Sequence, residues 1–167
     1  SYKQVMEFFS LPLSEKEKYS AINGGQRGYT PFLKEHAKDC KYPDLKEFWH
    51  VGRELPNGHR YHKAYDSNLW PVEIKDFKPI MLDLYQTLDG MSNSLLEALG
   101  IALDLEPGVF SKMIQDGNSI LRAIHYPPLK GNDTTNSIRA AAHEDINLIT
   151  MLVGATDSGL QLKDRDG

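Results

Sequence analysis

Apolar positions recur at helical spacing at the start of the chain and again over residues 77–99, whereas those in the last fifty residues alternate or run together as in strands. Tyr2, Val5, Met6 and Phe9 fall at i, i+3, i+4 and i+7, which predicts an amphipathic helix over residues 1–10. Ser14-x-x-Glu17 has the pattern of a capping box and predicts a second short helix, ended by Asn23-Gly24-Gly25. Gly28–Phe32 reads as a short extended segment, residues 34–46 as a polar, Lys-rich loop, and Phe48–Gly52 as a strand. Residues 54–71 carry Pro56, Asn57-Gly58 and Pro71 and read as loop. A long helix is predicted from Phe77 to Leu99, with Asp76 as its cap, Pro79 in its first turn and Gly100 as its stop. Its apolar stripe is Leu84, Leu88, Met91, Leu95 and Leu99. Such a stripe suits a buttress packed on a sheet, and a partner groove is the other reading. Pro107 opens a further short helix to about Gln115, closed by Asp116-Gly117.

After this helix the period changes. Residues 119–126, 139–153 and 159–163 are predicted strands, joined by a loop over 130–137. Helices first and strands afterwards predict an α+β fold in one domain, with residues 1–117 mainly helical and 118–167 forming part of a β core. The chain opens on Ser1 within an amphipathic pattern and closes on Asp166-Gly167, a hairpin signal without a return strand. It is therefore expected to be a piece of a larger protein.

Composition narrows the classes. With 167 residues, 40% hydrophobic and 25% charged, the chain reads as globular and long enough for a sizeable core. A net charge of −4 argues against nucleic acid and anionic membrane surfaces as partners, since both favour a basic stripe. The single cysteine, Cys40, has no internal disulfide partner, and a reducing, cytoplasmic setting is the expectation. No apolar run has membrane-spanning length and no signal peptide is visible.

The candidate chemistry centres on His143-Glu144-Asp145, set among apolar and β-branched residues. On a strand, residues i and i+2 share a face, so His143 and Asp145 would present an imidazole and a carboxylate together. That pair is two-thirds of the facial triad that holds non-haem Fe(II). A hydrogen-bonded polar pair in the core is the alternative reading. All six histidines lie at or before position 143, so no later imidazole in these residues completes the triad. On the predicted strand 119–126, Arg122, Ile124 and Tyr126 share a face, and a guanidinium beside a phenol suits an anionic ligand. An Arg paired with a core acid reads equally well there. His125 falls on the opposite face and reads as structural, and His59 and His62 fall in a solvated loop. There is no Gly-rich phosphate loop, no Ser nucleophile elbow and no Cys-x-x-Cys site.

Taken together, Leu121-Arg122-x-x-His125-Tyr126-Pro127-Pro128, His143-x-Asp145-x-x-x-Ile149-Thr150-x-Leu152 and Gly159-Leu160-Gln161-Leu162 resemble the Fe(II)- and 2-oxoglutarate-dependent dioxygenase superfamily, and most closely its isopenicillin N synthase-like subgroup. Gly28-Tyr29-x-Pro31 and Asp44-Leu45-Lys46-Glu47-Phe48 are similar to that subgroup's N-terminal region. The resemblance implies a double-stranded β-helix, or jelly roll, buttressed by the N-terminal helices, with residues 118–167 as its first strands and the barrel cut midway. It implies His143 and Asp145 as iron ligands and Tyr126 as a contact to the 2-oxoglutarate carboxylate. Arg122 is implied as a substrate contact and Tyr29 as a residue lining the substrate entrance. Fe(II), 2-oxoglutarate and O₂ are the implied cofactor and cosubstrates. The implied reaction is oxidation of a small organic substrate coupled to formation of succinate and CO₂, by a protein expected to be monomeric.

The family's distal histidine and its Arg-x-Ser grip on 2-oxoglutarate would lie beyond Gly167, so these residues alone are expected to be inactive. An oxidase of the isopenicillin N synthase type, which works without 2-oxoglutarate, and a non-catalytic jelly-roll binding module are the alternatives.

Overall fold

The computed structural model describes residues 1–20, 26–37, 40–129, 136–154 and 158–164. Helix α1 (Tyr2–Phe9) is followed by a single turn, α2 (Leu13–Lys16), and a 3₁₀ turn at Glu17–Tyr19. Strands β1 (Gly28–Thr30) and β2 (Glu47–Gly52) come next, then the long helix α3 (Phe77–Ala102), the short α4 (Val109–Ile114) and strand β3 (Ile120–His125). The three strands form one antiparallel sheet in the order β1-β2-β3.

Register decides what each face of the sheet carries. Tyr29 pairs with Trp49 and Trp49 with Ala123, while Val51 faces Leu121 and Glu47 faces His125. Directly opposed residues share a face, so these side chains form one surface. Helices α1 and α3 cover it with Phe8, Phe9, Phe77, Met81 and Tyr85, closing the hydrophobic core. Phe8 sits at its centre, edge-on to Trp49 at 4.6 Å and to Tyr29 at 5.6 Å between ring centroids. The opposite face carries Thr30, Phe48 and Ile124 in one row and His50 and Arg122 in the next. Phe48 and His50 are buried there, whereas Ile124 and Tyr126 are open to solvent.

Several elements lie where the pattern predicts them but turn a different side inward. α1 buries Phe8 and Phe9, while Tyr2 and Met6 of the predicted stripe are exposed. α3 begins at Phe77, with Pro79 in the first turn, but buries Phe77, Met81, Tyr85 and Leu96. The predicted stripe is rotated off the core: Met91, Leu95 and Leu99 are exposed. Phe77, at the start of α3, meets Trp49 and Phe8 edge-on or tilted and fixes the rotation of the helix. Gly100 does not stop α3, which runs to Ala102 and ends through Asp104 in the left-handed region. Asp76 precedes α3 with φ 58° and makes no side-chain cap, and Pro12, not Ser14, precedes α2, so the capping box is not formed. α4 starts after Gly108 in the left-handed region, two residues beyond Pro107.

The predicted strands at 139–153 and 159–163 are not formed among the described residues. Residues 136–154 and 158–164 follow an irregular path, with Ile146, Leu152, Leu160 and Leu162 exposed. An apolar run becomes a buried strand only with neighbours to pair it and cover it, and among the described residues β3 is the edge of the sheet. The predicted stop at Asn23-Gly24-Gly25, the turn at Asp166-Gly167 and most of the loop 130–137 lie outside the described residues. Among the described residues, no helix is long and apolar enough to cross a membrane.

Candidate active site

β2 and β3 present a polar row on the face away from the core. Arg122 donates from Nε to Nε2 of His50 at 2.7 Å, and its terminal nitrogens reach the two carboxylate oxygens of Glu35 at 3.3 and 3.4 Å. Its guanidinium lies 4.4 Å from the Phe48 ring centroid, a cation–π contact. Glu35 also pairs with Lys46 at 2.8 Å, and Lys46 with Asp44 at 2.9 Å. Burial opposes the Lys46 charge, but bonds to Glu35 and Asp44 outweigh it and raise the ammonium above its ordinary range. Arg122 thus pairs with a part-exposed acid and keeps about 38% of its side chain exposed on the expected face.

The segment that carries the candidate metal ligands is tied to this row. Leu45 N–H donates to the Ile138 carbonyl at 2.8 Å, and Ala141 N–H donates to Oδ1 of Asp44 at 3.1 Å. Arg139 donates to the Tyr126 carbonyl at 3.2 Å, so the segment also meets the end of β3.

His143 and Asp145 come together although no strand holds them. Nε2 of His143 lies 3.7 Å from Oδ1 of Asp145, and both side chains are about half exposed. Nδ1 of His143 is 2.8 Å from the Ala141 carbonyl. A carbonyl only accepts, so the Nδ1 proton points there, and in the neutral ring Nε2 is the nitrogen that carries the lone pair. Thr150 donates its hydroxyl to Oδ2 of Asp145, which leaves Oδ1 facing the imidazole. Metal–ligand bonds of about 2.1 Å let donors up to about 4 Å apart share one ion. An imidazole nitrogen and a carboxylate oxygen are the donor types of two positions of a facial triad, whose right-angle geometry would draw them to about 3 Å apart. Among the described residues, no cluster of three or more His, Cys, Asp or Glu side chains could hold a metal.

Tyr126 is part-exposed beyond the end of β3, beside Arg139. Tyr29 does not line an entrance: it is fully buried, and its hydroxyl donates to Oε2 of Glu47 at 2.5 Å. Burial, reinforced by Glu47, pushes the Tyr29 hydroxyl far above its ordinary range. The same Glu47 receives Lys16 at 2.8 Å and Nδ1 of His125 at 2.8 Å. Burial alone would raise its carboxyl, but these bonds outweigh it and hold the group below its ordinary range. His125 stacks on Phe9 at 5.0 Å and serves the core, in keeping with its structural reading. His59 meets Asp116 at 3.3 Å in the loop before α3. Sequence reasoning missed Glu35, Asp44, Lys46 and His50. The visible signal was the charged run ahead of an apolar strand, which reads as solvated loop unless its partners are known.

Residues 1–73 match the family described as non-haem dioxygenase in morphine synthesis N-terminal. A 2-oxoglutarate-Fe(II) type oxidoreductase of Aspergillus fumigatus is 30% identical over 165 residues, covering 94% of this chain and 49% of its own length. A solved Caulobacter crescentus protein, assigned to the 2OG-Fe(II) oxygenase family, is 48% identical with a TM-score of 0.68, over 76% of this chain and 42% of that one. A full-length Neurospora crassa protein, solved in complex with alpha-KG and thymine, is 25% identical with a TM-score of 0.61, over 78% of this chain and 42% of that one. The chain belongs to the Fe(II)/2-oxoglutarate-dependent dioxygenase superfamily. It spans about half the length of the curated relatives it matches.

Proposed function

We propose that the natural protein is a non-haem Fe(II)- and 2-oxoglutarate-dependent oxygenase of the isopenicillin N synthase-like subgroup, oxidising a small organic substrate. In this reading residues 118–167 contribute to a jelly-roll core, and residues 1–117 form its helical N-terminal and buttress region. Bound Fe(II), with 2-oxoglutarate and O₂, would supply the oxidising chemistry, with succinate and CO₂ as co-products.

The chain's own residues bind and orient. His143 Nε2 and Asp145 Oδ1 are two of the protein donors, and a third comes from outside the described residues. The Ala141 carbonyl sets the imidazole tautomer, and Thr150 turns the Asp145 carboxylate. Tyr126 offers its phenol to the cosubstrate carboxylate. Arg122, held by His50 and Glu35, offers its remaining N–H groups to substrate. The observation that carries the reading is the 3.7 Å approach of an imidazole nitrogen and a carboxylate oxygen in a chain of this superfamily.

The test is succinate release by the full-length protein supplied with Fe(II), 2-oxoglutarate, O₂ and a panel of small substrates. Substrate-dependent succinate, abolished by His143→Ala and by Asp145→Ala, is expected. Oxidised product without succinate would favour the oxidase, and unchanged turnover in either variant would refute the metal assignment.

A further inference from the structure

We infer that Asp44, in the loop before β2, is a positioning residue for His143 and acts through Ala141. The inference rests on the reading of His143 and Asp145 as metal ligands.

Asp44 is only 2% exposed, so both oxygens of its carboxylate need partners. Oδ2 takes Lys46 at 2.9 Å and Oδ1 takes the Ala141 amide at 3.1 Å. Lys46 also pairs with Glu35 at 2.8 Å, which Arg122 shares, so Asp44 helps balance that charge. Its other oxygen is free for a second task, and the contact that Asp44 makes and Glu35 does not is the one to Ala141. Ala141 is also the residue whose carbonyl receives Nδ1 of His143 at 2.8 Å. Asp44, Ala141 and His143 thus form a relay in which a buried carboxylate fixes the residue that sets the imidazole's tautomer and direction.

Among the described residues, little else holds this stretch in place. Residues 138–140 and 142–148 are exposed, so apolar burial contributes little to their position. Among the described residues, three hydrogen bonds anchor the approach to His143: Leu45 to Ile138, Arg139 to Tyr126, and Ala141 to Asp44. The last lies nearest the imidazole.

The relay is tested by anaerobic titration of the full-length protein with Fe(II) alone, and with Co(II) as a spectroscopic probe. Asp44→Ala removes the acceptor, and Fe(II) affinity is expected to fall about 10-fold or more, the usual effect of losing a partner that orients a metal-bound histidine. Asp44→Asn keeps an acceptor oxygen and should stay within about threefold of the parent, since the bond to Ala141 can persist. At saturating Co(II), Asp44→Ala should shift the visible bands of the bound ion, which a change confined to stability leaves in place. If Asp44→Ala does not fold, Ala141→Pro deletes the same N–H from a part-exposed position and should weaken Fe(II) similarly. Parent affinity in the folded Asp44→Ala or Ala141→Pro protein, with His143→Ala no longer binding, would overturn the relay and leave the metal site standing. Equal losses in Asp44→Asn and Asp44→Ala would overturn the route through Ala141. Parent affinity in His143→Ala would remove the metal reading itself.

Discussion

Arg122 donates from Nε to Nε2 of His50 across the β2–β3 pair at 2.7 Å. An imidazole that accepts from a guanidinium keeps its lone pair on that nitrogen, so His50 holds Arg122 in its neutral form. With Glu35 at the end of the guanidinium and Phe48 beneath its plane, the side chain has one fixed direction. Arg122→Ala should raise the KM of the full-length enzyme about 10-fold with kcat little changed, as expected for one lost charged hydrogen bond. Arg122→Lys should not restore it, because an ammonium lacks the fork that meets His50 and Glu35 together. An unchanged KM in Arg122→Ala would remove it from the site.

Tyr29 offers the opposite case. Its phenol is fully buried and bonded to Glu47, which also holds Lys16 and His125. Tyr29→Phe should cost about 1–3 kcal/mol in urea unfolding, the penalty for leaving a buried acceptor short of a donor. Its KM for substrate should stay at the parent value; a raised KM with parent stability would restore the entrance role.

Two glycines separate close approach from mere flexibility. A Cβ at Gly52 would overlap Cζ of Arg27, whose side chain is buried, so Gly52→Ala must displace a guanidinium. A loss of about 1–3 kcal/mol is expected, typical of overpacking. Gly90, inside α3, has nothing within 4 Å of its added Cβ. Gly90→Ala should stabilise by about 0.5–1 kcal/mol through helix propensity. Thermal unfolding of both variants checks the pair, and a reversed order would contradict the packing around β2.

Stability should fall at both ends of the pH scale, through different groups. The Glu47 carboxyl is held below its ordinary 4.5, so its ionised form contributes above that value and the contribution is lost as pH falls through the folded value. Lys46 is raised above 10.5, so its contribution is complete below that pH and lost as pH rises through the folded value. Tyr29, raised above 10.0 by burial and Glu47, adds to the alkaline loss from pH 10.0 upward. Urea midpoints measured across pH should show a plateau from about 5 to about 9.5. Glu47→Gln should flatten the acid limb, and an unaltered acid limb would contradict the Lys16–Glu47–Tyr29 network.

Local pattern carried the elements further than their faces. Helical spacing located α1 and α3, and short apolar, β-prone runs located β2 and β3, because those signals are local. Which side of α3 turns inward depends on Phe77 and Met81 meeting Trp49 and Phe8, contacts made across long sequence separations. The same distance hid the polar row: Asp44, Lys46 and Glu35 read as a solvated run until Arg122 and Ala141 are placed beside them. His143 and Asp145 were legible as chemistry, yet the strand expected to carry them is absent among the described residues. Their approach comes from the Ala141 carbonyl and Thr150 hydroxyl instead of from a pleat.

The central claim is that His143 and Asp145 share one ferrous ion. Anaerobic equilibrium dialysis of the full-length protein against Fe(II) measures this directly, beside folded His143→Ala and Asp145→Ala variants. One iron per chain in the parent, and less than about a tenth of that in each variant at the same free iron, is the expected result for loss of a primary ligand. Full iron occupancy in either variant would contradict the account.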